Sequence, residues 1–327
     1  MNSKIDDPIL QVKKLNVEFD TPFGVSKVLN GVTFDLARGE CLGILGESGS
    51  GKSVTAMAVM GLLPSPPSRV AGGTIFYNQR DLLALSKTER RKLQSREIAM
   101  IFQDATTSLN PGLTVGFQIA ELFRLHLGDN RASAREKTIK LMDRVGIPSP
   151  EKRFGQYSHQ FSGGMNQRIM IAMAIALEPR ILIADEPTTA LDVTIQAQIL
   201  DLLKELQDET GMSIIFITHD LGVASEVSDR VAVVYAGKIV EIGRTVQTLG
   251  DPKHPYTQAL KRSAPSTSDR FRRLEVIRGV APQLMASSKG CAFAPRCQLA
   301  TELCRTTEPP HCRLDQGRTV QCHIASK

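Results

Sequence analysis

Eight consecutive residues have the composition of a phosphate-binding loop. They fit the pattern G-x-x-x-x-G-K-[ST] and follow a short apolar segment: Gly46, Glu47, Ser48, Gly49, Ser50, Gly51, Lys52 and Ser53. The glycines allow successive backbone N–H groups to turn toward phosphate oxygens, and the lysine ammonium adds a mobile positive charge. The Ser53 hydroxyl is then available to hold Mg²⁺. A glycine-rich turn that merely joins two elements does not require Lys-Ser at this spacing, so we interpret the run as a phosphate site.

Two adjacent acids, Asp185 and Glu186, end a second apolar segment that runs from Ile181 to Ala184. Burying carboxylates at the end of a strand costs free energy unless they are paired or bind a metal ion. The arrangement places Asp185 near a metal ion and Glu186 near an attacking water. A strand cap would need only one acid, and we therefore interpret the pair as part of a hydrolytic centre.

A hydroxyl and two glycines, Ser162, Gly163 and Gly164, open a predicted helix. Exposed N–H groups at a helix start can face an anion. Ser162 can equally be an ordinary N-cap residue followed by flexible glycines. These three residues alone leave both interpretations open.

Strands and helices must alternate to position these residues. A strand at Cys41 to Leu45 leads into the loop, and a helix at Val54 to Met60 follows it. Strand character returns at Ile181 to Ala184 and at Ile214 to Thr218, with an amphipathic helix between them. Such alternation predicts a parallel sheet with helices on both faces.

Other segments flank this α/β core. Period-two alternation between Leu10 and Leu36 predicts antiparallel strands, and a hairpin is predicted around Ala236-Gly237. Helical periodicity from about Leu109 to Leu177 predicts a helical insert. A segment rich in Pro, Ser and Arg, Pro265 to Asp269, is typical of a linker into the cysteine-rich tail.

The composition narrows the function classes. A chain of 327 residues that is 42% hydrophobic can bury a large core, and one domain plus an appendage is expected. Its longest apolar stretch, Ile169 to Leu177, is too short to span a bilayer, and Met1 to Pro8 lacks the layout of an export signal. We expect a cytosolic protein. The net charge of +6 is dispersed and Trp is absent, which argues against nucleic acid as a partner.

Cysteine use is uneven, because Cys41 stands alone and the other five lie near the end of the chain, at Cys291, Cys297, Cys304, Cys312 and Cys322. In a reducing cytosol such crowding is poorly explained by disulfides. Metal ligation and chance crowding in a small, loop-rich tail both stay open.

The order of the motifs resembles the nucleotide-binding domain of ABC ATPases over about the first 245 residues. The resemblance rests on the phosphate loop, Gln103 after Ala99 to Phe102, Ser162-Gly163-Gly164, Asp185-Glu186, Ala190-Leu191-Asp192 and His219 after Ile217-Thr218. It implies an α/β P-loop NTPase fold with a parallel core sheet, an antiparallel β subdomain and a helical subdomain at about 104–177. We expect this domain over 1–250 and a small cysteine-rich C-terminal extension over 251–327.

The resemblance also implies roles for individual residues in ATP hydrolysis. Glu186 would be the general base, His219 the sensor of the γ-phosphate, and Gln103 the link between metal and transporter. Mg²⁺ would be held by Ser53, Gln103 and Asp185. Residues expected to bind ATP are Phe19 on the adenine, then Gly46, Ser48, Gly49, Ser50, Gly51, Lys52, Ser53, and, from a second subunit, Ser162, Gly163, Gly164 and Asp192.

Each of these side chains also has an ordinary structural role open to it. Gln103 can be a loop amide, His219 a strand-end histidine, Asp192 a helix cap and Phe19 an aromatic on a half-buried strand. Met165 departs from the pattern, since many relatives carry Gln there, but it follows the glycines and leaves the expected phosphate contact intact.

The tail is similar to the ATPases of dipeptide and oligopeptide importers. The similarity rests on His254 to Leu260, Gly290-Cys291, Pro295 to Cys297 and Cys304, together with Ser108 to Pro111 and Thr188 to Thr194 in the core. It implies import of peptides, with nickel, glutathione or other solutes as alternatives. It further implies two transmembrane permeases, a second similar ATPase subunit, an extracytoplasmic solute-binding protein acting indirectly, and a peripheral location on the cytoplasmic face of the membrane.

Similar tails suggest a 4Fe–4S cluster on Cys291, Cys297, Cys304 and Cys322, with Cys312 as a spare. Zinc and a metal-free tail are the alternatives, although the cysteine spacing is wider than in zinc ribbons.

The sequence fits less well with ATPases that share this nucleotide-binding domain but do not act in transport. DNA-repair relatives carry a long coiled coil where this chain has only a short segment between Gln103 and Ser162. Translation-associated relatives carry two nucleotide-binding domains in one chain, whereas this sequence has one phosphate loop.

Overall fold

The computed structural model describes residues 7–94, 96–189, 191–264, 277, 279 and 289–325. The strands are β1 (Leu10–Thr21), β2 (Gly24–Leu36), β3 (Cys41–Leu45), β4 (Ser68–Tyr77), β5 (Arg80–Asp81), β6 (Ile98–Ile101), β7 (Ile181–Asp185), β8 (Ser213–Thr218), β9 (Arg230–Tyr235), β10 (Lys238–Arg244), β11 (His311–Arg313) and β12 (Thr319–Gln321). The α-helices are α1 (Lys52–Met60), α2 (Lys87–Leu93), α3 (Ala105–Ser108), α4 (Val115–Leu127), α5 (Arg131–Arg144), α6 (Pro150–Arg153), α7 (Gly163–Ile175), α8 (Val193–Thr210), α9 (Leu221–Val227), α10 (Thr245–Gly250), α11 (Pro255–Ser263) and α12 (Glu302–Thr306).

The chain folds into two compact units, and it passes from one to the other between Ala84 and Leu85 and again within β8. The first unit comprises Met1–Ala84 and Phe216–Lys327, and the second comprises Leu85–Ile215. The predicted domain boundaries at residue 250 and at 104–177 stay predictions. The predicted linker, Pro265 to Asp269, lies outside the described residues, as does Ala190.

The first unit contains an antiparallel sheet in the order β2-β1-β4-β5. The register of β1 on β2 pairs Leu10 with Leu36 and Val12 with Phe34, which buries the alternating apolar residues on one side. The antiparallel pair predicted from period-two alternation is therefore confirmed.

Five further strands of the first unit pair in the order β11-β12-β10-β9-β3. β3 and β9 are parallel, whereas β9 and β10 form the predicted antiparallel hairpin. In the C-terminal extension, β12 adds to β10 by pairing Val320 with Glu241. The sheet is thus mixed, because β9, β10, β12 and β11 pair antiparallel with one another beside the parallel pair β3 and β9.

The second unit contains the parallel pair β6 and β7 and most of the helices. Every residue of β7 is buried, as expected for a strand covered on both faces. The predicted helical insert is present as α4, α5, α6 and α7. Gly128 follows α4 directly and Gly146 lies just beyond α5, and both glycines have positive φ.

One long strand was not predicted. β4 covers residues whose alternation is interrupted by Gly72-Gly73, so period two is weak in the sequence. A Cβ on Gly73 would lie 2.6 Å from Leu15 Cα, and its φ is 95°. Glycine is therefore required here by the close approach of β1, at an irregularity in the β1–β4 register between Lys13 and Asn16.

No helix within the described residues combines the length and apolar character that crossing a membrane requires.

Candidate active site

The phosphate loop lies between a buried strand and a helix. β3 is buried throughout, the loop starts at Gly46, and α1 begins at Lys52. A Cβ on Gly46 would lie 2.3 Å from the carbonyl oxygen of Val234, so only glycine fits without a shift. Gly51 is the N-cap of α1 with a φ of 107°, a conformation that L side chains rarely adopt. The backbone path of the loop thus depends on both glycines.

The loop is electropositive. The Lys52 side chain is buried, and its Nζ donates to the carbonyl oxygens of Gly46 at 2.8 Å and Glu47 at 3.1 Å. α1 has no acidic residue in its first turn and no side-chain hydrogen bond at its cap, so its N–H dipoles are uncompensated there. Ser50 Oγ is buried and has no hydrogen-bond partner among the described residues. Ser53 follows Lys52 on the helix. This donor set fits a bound phosphate chain with its Mg²⁺.

Glu186 stands directly after β7 and is oriented by two neighbours. Its Oε2 accepts from Thr189 Oγ1 at 2.9 Å and from Gln103 Nε2 at 3.2 Å. Its backbone has a φ of 48°, which is uncommon for a residue other than glycine and often marks a functional site. The fold therefore brings together two of the predicted catalytic residues, Glu186 and Gln103. A carboxylate held this way is suited to accept a proton from water.

The contact between Thr189 and Glu186 was not predicted from the sequence. The sequence feature that indicates this contact is the position of Thr189 three residues after Glu186, because a turn of that length returns the hydroxyl to the carboxylate. The Thr189 N–H also donates to the Glu186 carbonyl at 3.2 Å. Asp185, the other acid of the pair, is buried at the end of β7.

Ser162 is the N-cap of α7, and its Oγ accepts from Met165 N–H at 3.4 Å. The two glycines that follow differ in their surroundings. A Cβ on Gly164 would lie 2.8 Å from Ile195 Cγ2, whereas one on Gly163 would lie 3.9 Å from Leu191 Cδ2, its nearest neighbour among the described residues. Capping and close packing thus explain Ser162 and Gly164 within one subunit, and the anion contact across a dimer stays a prediction.

The remaining residues predicted to contact ATP are Asp192, Phe19 and His219. Asp192 is the N-cap of α8, accepting from Ile195 N–H at 2.9 Å. Phe19 is half-buried on β1, opposite Ser26 of β2. His219 is exposed and directly follows β8. Their roles toward nucleotide stay predictions.

Four tail cysteines line one small cavity: Cys291, Cys297, Cys304 and Cys322. Its volume is about 10 Å³, which is room for about one water. Burial raises the pKa of the Cys291 and Cys297 thiols. Within the described part of the chain, which includes all four, no group of three or more His, Cys, Asp or Glu is arranged to hold a metal ion. These side chains therefore do not fit an iron–sulfur cluster without rearrangement.

Two histidines, His254 and His323, also line this cavity. His254 is buried and caps α11, with Nδ1 accepting from Tyr256 N–H at 3.0 Å. Burial lowers the pKa of His254 to about 3, so the imidazole is neutral and its proton lies on Nε2. Cys312, the predicted spare, is absent from the residues that line this cavity.

Two family patterns match the sequence. The ABC transporter family matches residues 29–189, and the oligopeptide/dipeptide transporter C-terminal region matches residues 240–304.

Curated relatives match over nearly the whole chain. The dipeptide transport ATP-binding protein DppD of Haemophilus influenzae is 50% identical over 318 residues, which cover 96% of this chain and 95% of that protein. The oligopeptide transport ATP-binding protein OppD of Bacillus subtilis is 50% identical over 314 residues, which cover 96% of this chain and 88% of that protein.

Solved structures with the same fold include a dimeric ATP-binding cassette in a post-hydrolysis state bound to ADP and Pi. It superposes with a TM-score of 0.65 at 25% identity and covers 72% of this chain and 98% of that one. CbiO1 of Clostridium perfringens, part of an ABC transporter complex, gives a TM-score of 0.64 at 29% identity. The match covers 75% of this chain and 92% of CbiO1. These likenesses confirm the predicted α/β ABC-type fold.

Proposed function

Because the chain belongs to the ATP-binding proteins of ABC transporters that carry the oligopeptide/dipeptide transporter C-terminal region, we propose that it hydrolyses ATP to drive peptide import. The observation that carries the proposal is the Glu186 carboxylate, held by Thr189 and Gln103 at the end of a buried strand. A general base must lie within hydrogen-bond reach of the proton that it takes, and these two contacts orient the carboxylate for that purpose.

The remaining residues act on the triphosphate. The loop N–H groups and Lys52 bind the phosphates, and Ser53, Gln103 and Asp185 are the residues that would hold Mg²⁺. When bound, this ion neutralises developing charge on the phosphate oxygens. His219 senses the γ-phosphate, and Phe19 stacks on the adenine. Ser162, Gly163, Gly164 and Asp192 act on the nucleotide held by a second, similar ATPase subunit.

The chain works on the cytoplasmic face of the membrane against two permease subunits. An extracytoplasmic binding protein delivers the solute, so the solute is chosen by proteins other than this chain. The named relatives transport dipeptides and oligopeptides, which supports peptides over nickel or glutathione.

Uptake by the purified complex tests this proposal. Proteoliposomes that contain the permeases, both ATPase subunits, the binding protein and internal ATP should accumulate a labelled dipeptide. Unlabelled Ni²⁺ or glutathione should not compete with it. Accumulation of nickel or glutathione in place of the dipeptide would assign a different solute to the same ATPase, and uptake without ATP would contradict the proposal.

The predicted cluster on Cys291, Cys297, Cys304 and Cys322 has its own test, because the side-chain arrangement does not support it. If the cluster formed after a rearrangement of these side chains, anaerobically purified protein would contain iron and sulfide and would absorb in the sulfur-to-iron region. Zinc content in place of iron would favour the alternative metal. Colourless, metal-free protein with all five tail thiols reactive would remove the cluster.

A further inference from the structure

The phosphate loop is tied to the C-terminal extension by an ion pair. Arg296 Nη1 and Nη2 donate to the two oxygens of the Glu47 carboxylate at 2.7 and 3.0 Å. The Arg296 side chain is only 6% exposed and Glu47 is 27% exposed, so water screens the pair little. Two parallel N–H···O bonds fix the direction of the carboxylate as well as its charge.

A second bond joins the extension to the same loop residue. The Glu47 backbone N–H donates to Tyr256 Oη at 2.9 Å. Tyr256 is fully buried on α11 and packs against Tyr235 and Phe293, with ring centroids 4.5 and 5.4 Å away. The same core contains Leu45, the residue before the loop. The extension therefore holds both the side chain and the backbone of Glu47.

Arg296 is itself held within the extension. It lies between Phe293 and Cys297 on the segment that carries the first two tail cysteines, and its Nη1 also donates to Tyr235 Oη at 3.3 Å. Phe293 meets Tyr235 edge to face, with centroids 5.2 Å apart. These contacts leave the guanidinium little freedom to turn away from the loop.

The charge of Glu47 works against the proposed ligand. Glu47 lies next to Gly46 in the loop that is proposed to bind phosphate, and a triphosphate carries several negative charges. An unpaired carboxylate there would repel the ligand through a partly desolvated medium, where charges act more strongly than in water. The Arg296 guanidinium neutralises this charge.

We infer that Arg296 is a positioning residue for ATP binding, which acts through Glu47 and makes the nucleotide affinity depend on the C-terminal extension. This inference rests on the proposed function, since it takes the loop at Gly46 to Ser53 as the ATP site. It predicts that loss of the guanidinium weakens ATP binding because of the carboxylate that it leaves unpaired.

Three variants of the intact complex test the inference: Arg296→Gln, Glu47→Gln and the double variant. ATP affinity is measured by equilibrium binding, and circular dichroism checks the fold. We expect Arg296→Gln to raise the Kd for ATP about tenfold, the size of one lost charged contact. Glu47→Gln should bind at least as tightly as the parent, and the double variant should recover most of the affinity. Arg305→Gln, which removes an exposed arginine of the same extension, is the matched control and should not change Kd.

A purely structural role gives a different pattern. The double variant would then bind as weakly as Arg296→Gln, and this result, or an unchanged Kd in Arg296→Gln, would overturn the inference. Arg296→Lys keeps the charge and loses the two-bond fork, so it should raise the Kd by less than about tenfold, and it keeps the inference testable if Arg296→Gln fails to fold. The effect should fall on KM for ATP and not on kcat at saturating ATP. Failure of the parent complex to bind ATP would instead refute the proposed function.

Discussion

Glu186→Gln should bind ATP with nearly the parental affinity and hydrolyse it at least about a hundredfold more slowly. The amide keeps the size of the side chain and can still contact Thr189 and Gln103, but it cannot accept a proton from water. Removing a general base typically costs about 10² to 10⁴ in rate. The measurement is phosphate release by the assembled complex at saturating ATP, together with equilibrium binding of ATP.

Glu205→Gln provides the matched control for that experiment. Glu205 is exposed on α8, and the same chemical change there should leave turnover intact. Near-normal turnover in Glu186→Gln would refute the assignment of the base. An equal loss in the control would indicate that the assay reports damage to the fold instead of loss of a proton acceptor.

Lys52→Ala should weaken ATP binding by at least about tenfold and reduce hydrolysis further, because charge-assisted hydrogen bonds to phosphate are lost. The Lys52 ammonium is buried against the carbonyl oxygens of Gly46 and Glu47, at the start of α1. Because Lys52 is the only basic residue of the loop sequence, no other loop side chain can replace it. The change is measured as Kd for ATP by equilibrium binding.

Lys87→Ala is the control for the lysine variant, because Lys87 is exposed at the start of α2 and has no assigned role. Its Kd should match the parent. If Lys52→Ala is folded by circular dichroism and binds ATP as tightly as the control, the phosphate loop is not the nucleotide site.

Local patterns in the sequence were sufficient to predict the elements that hold the site. The strand at Cys41 to Leu45 matches β3 at both ends, and the loop and α1 follow it as predicted. A plain turn seldom needs glycines and a lysine at this spacing, and a continuous apolar run before them is typical of a buried strand. The acids after β7 were predicted for the same reason.

Contacts between distant residues could not be predicted in this way. Arg296 and Glu47 are 249 positions apart, and neither belongs to a periodic pattern. β12 joins β10 through only two paired positions, which leave little trace in a short polar segment. The four cysteines suggested as cluster ligands do line one cavity, but their spacing could not show that the side chains, as arranged, form no metal-binding group among the described residues.

Cleavage of ATP by the intact complex is the most direct test of the central claim that this chain is an ATPase whose phosphate loop holds the triphosphate. Phosphate release from γ-labelled ATP is measured for the complex with its permeases and second ATPase subunit, carrying either the parental chain or Lys52→Ala. We predict clear cleavage by the parental complex and a large loss in the variant. No cleavage by the parental complex, or equal cleavage by both, would contradict the account.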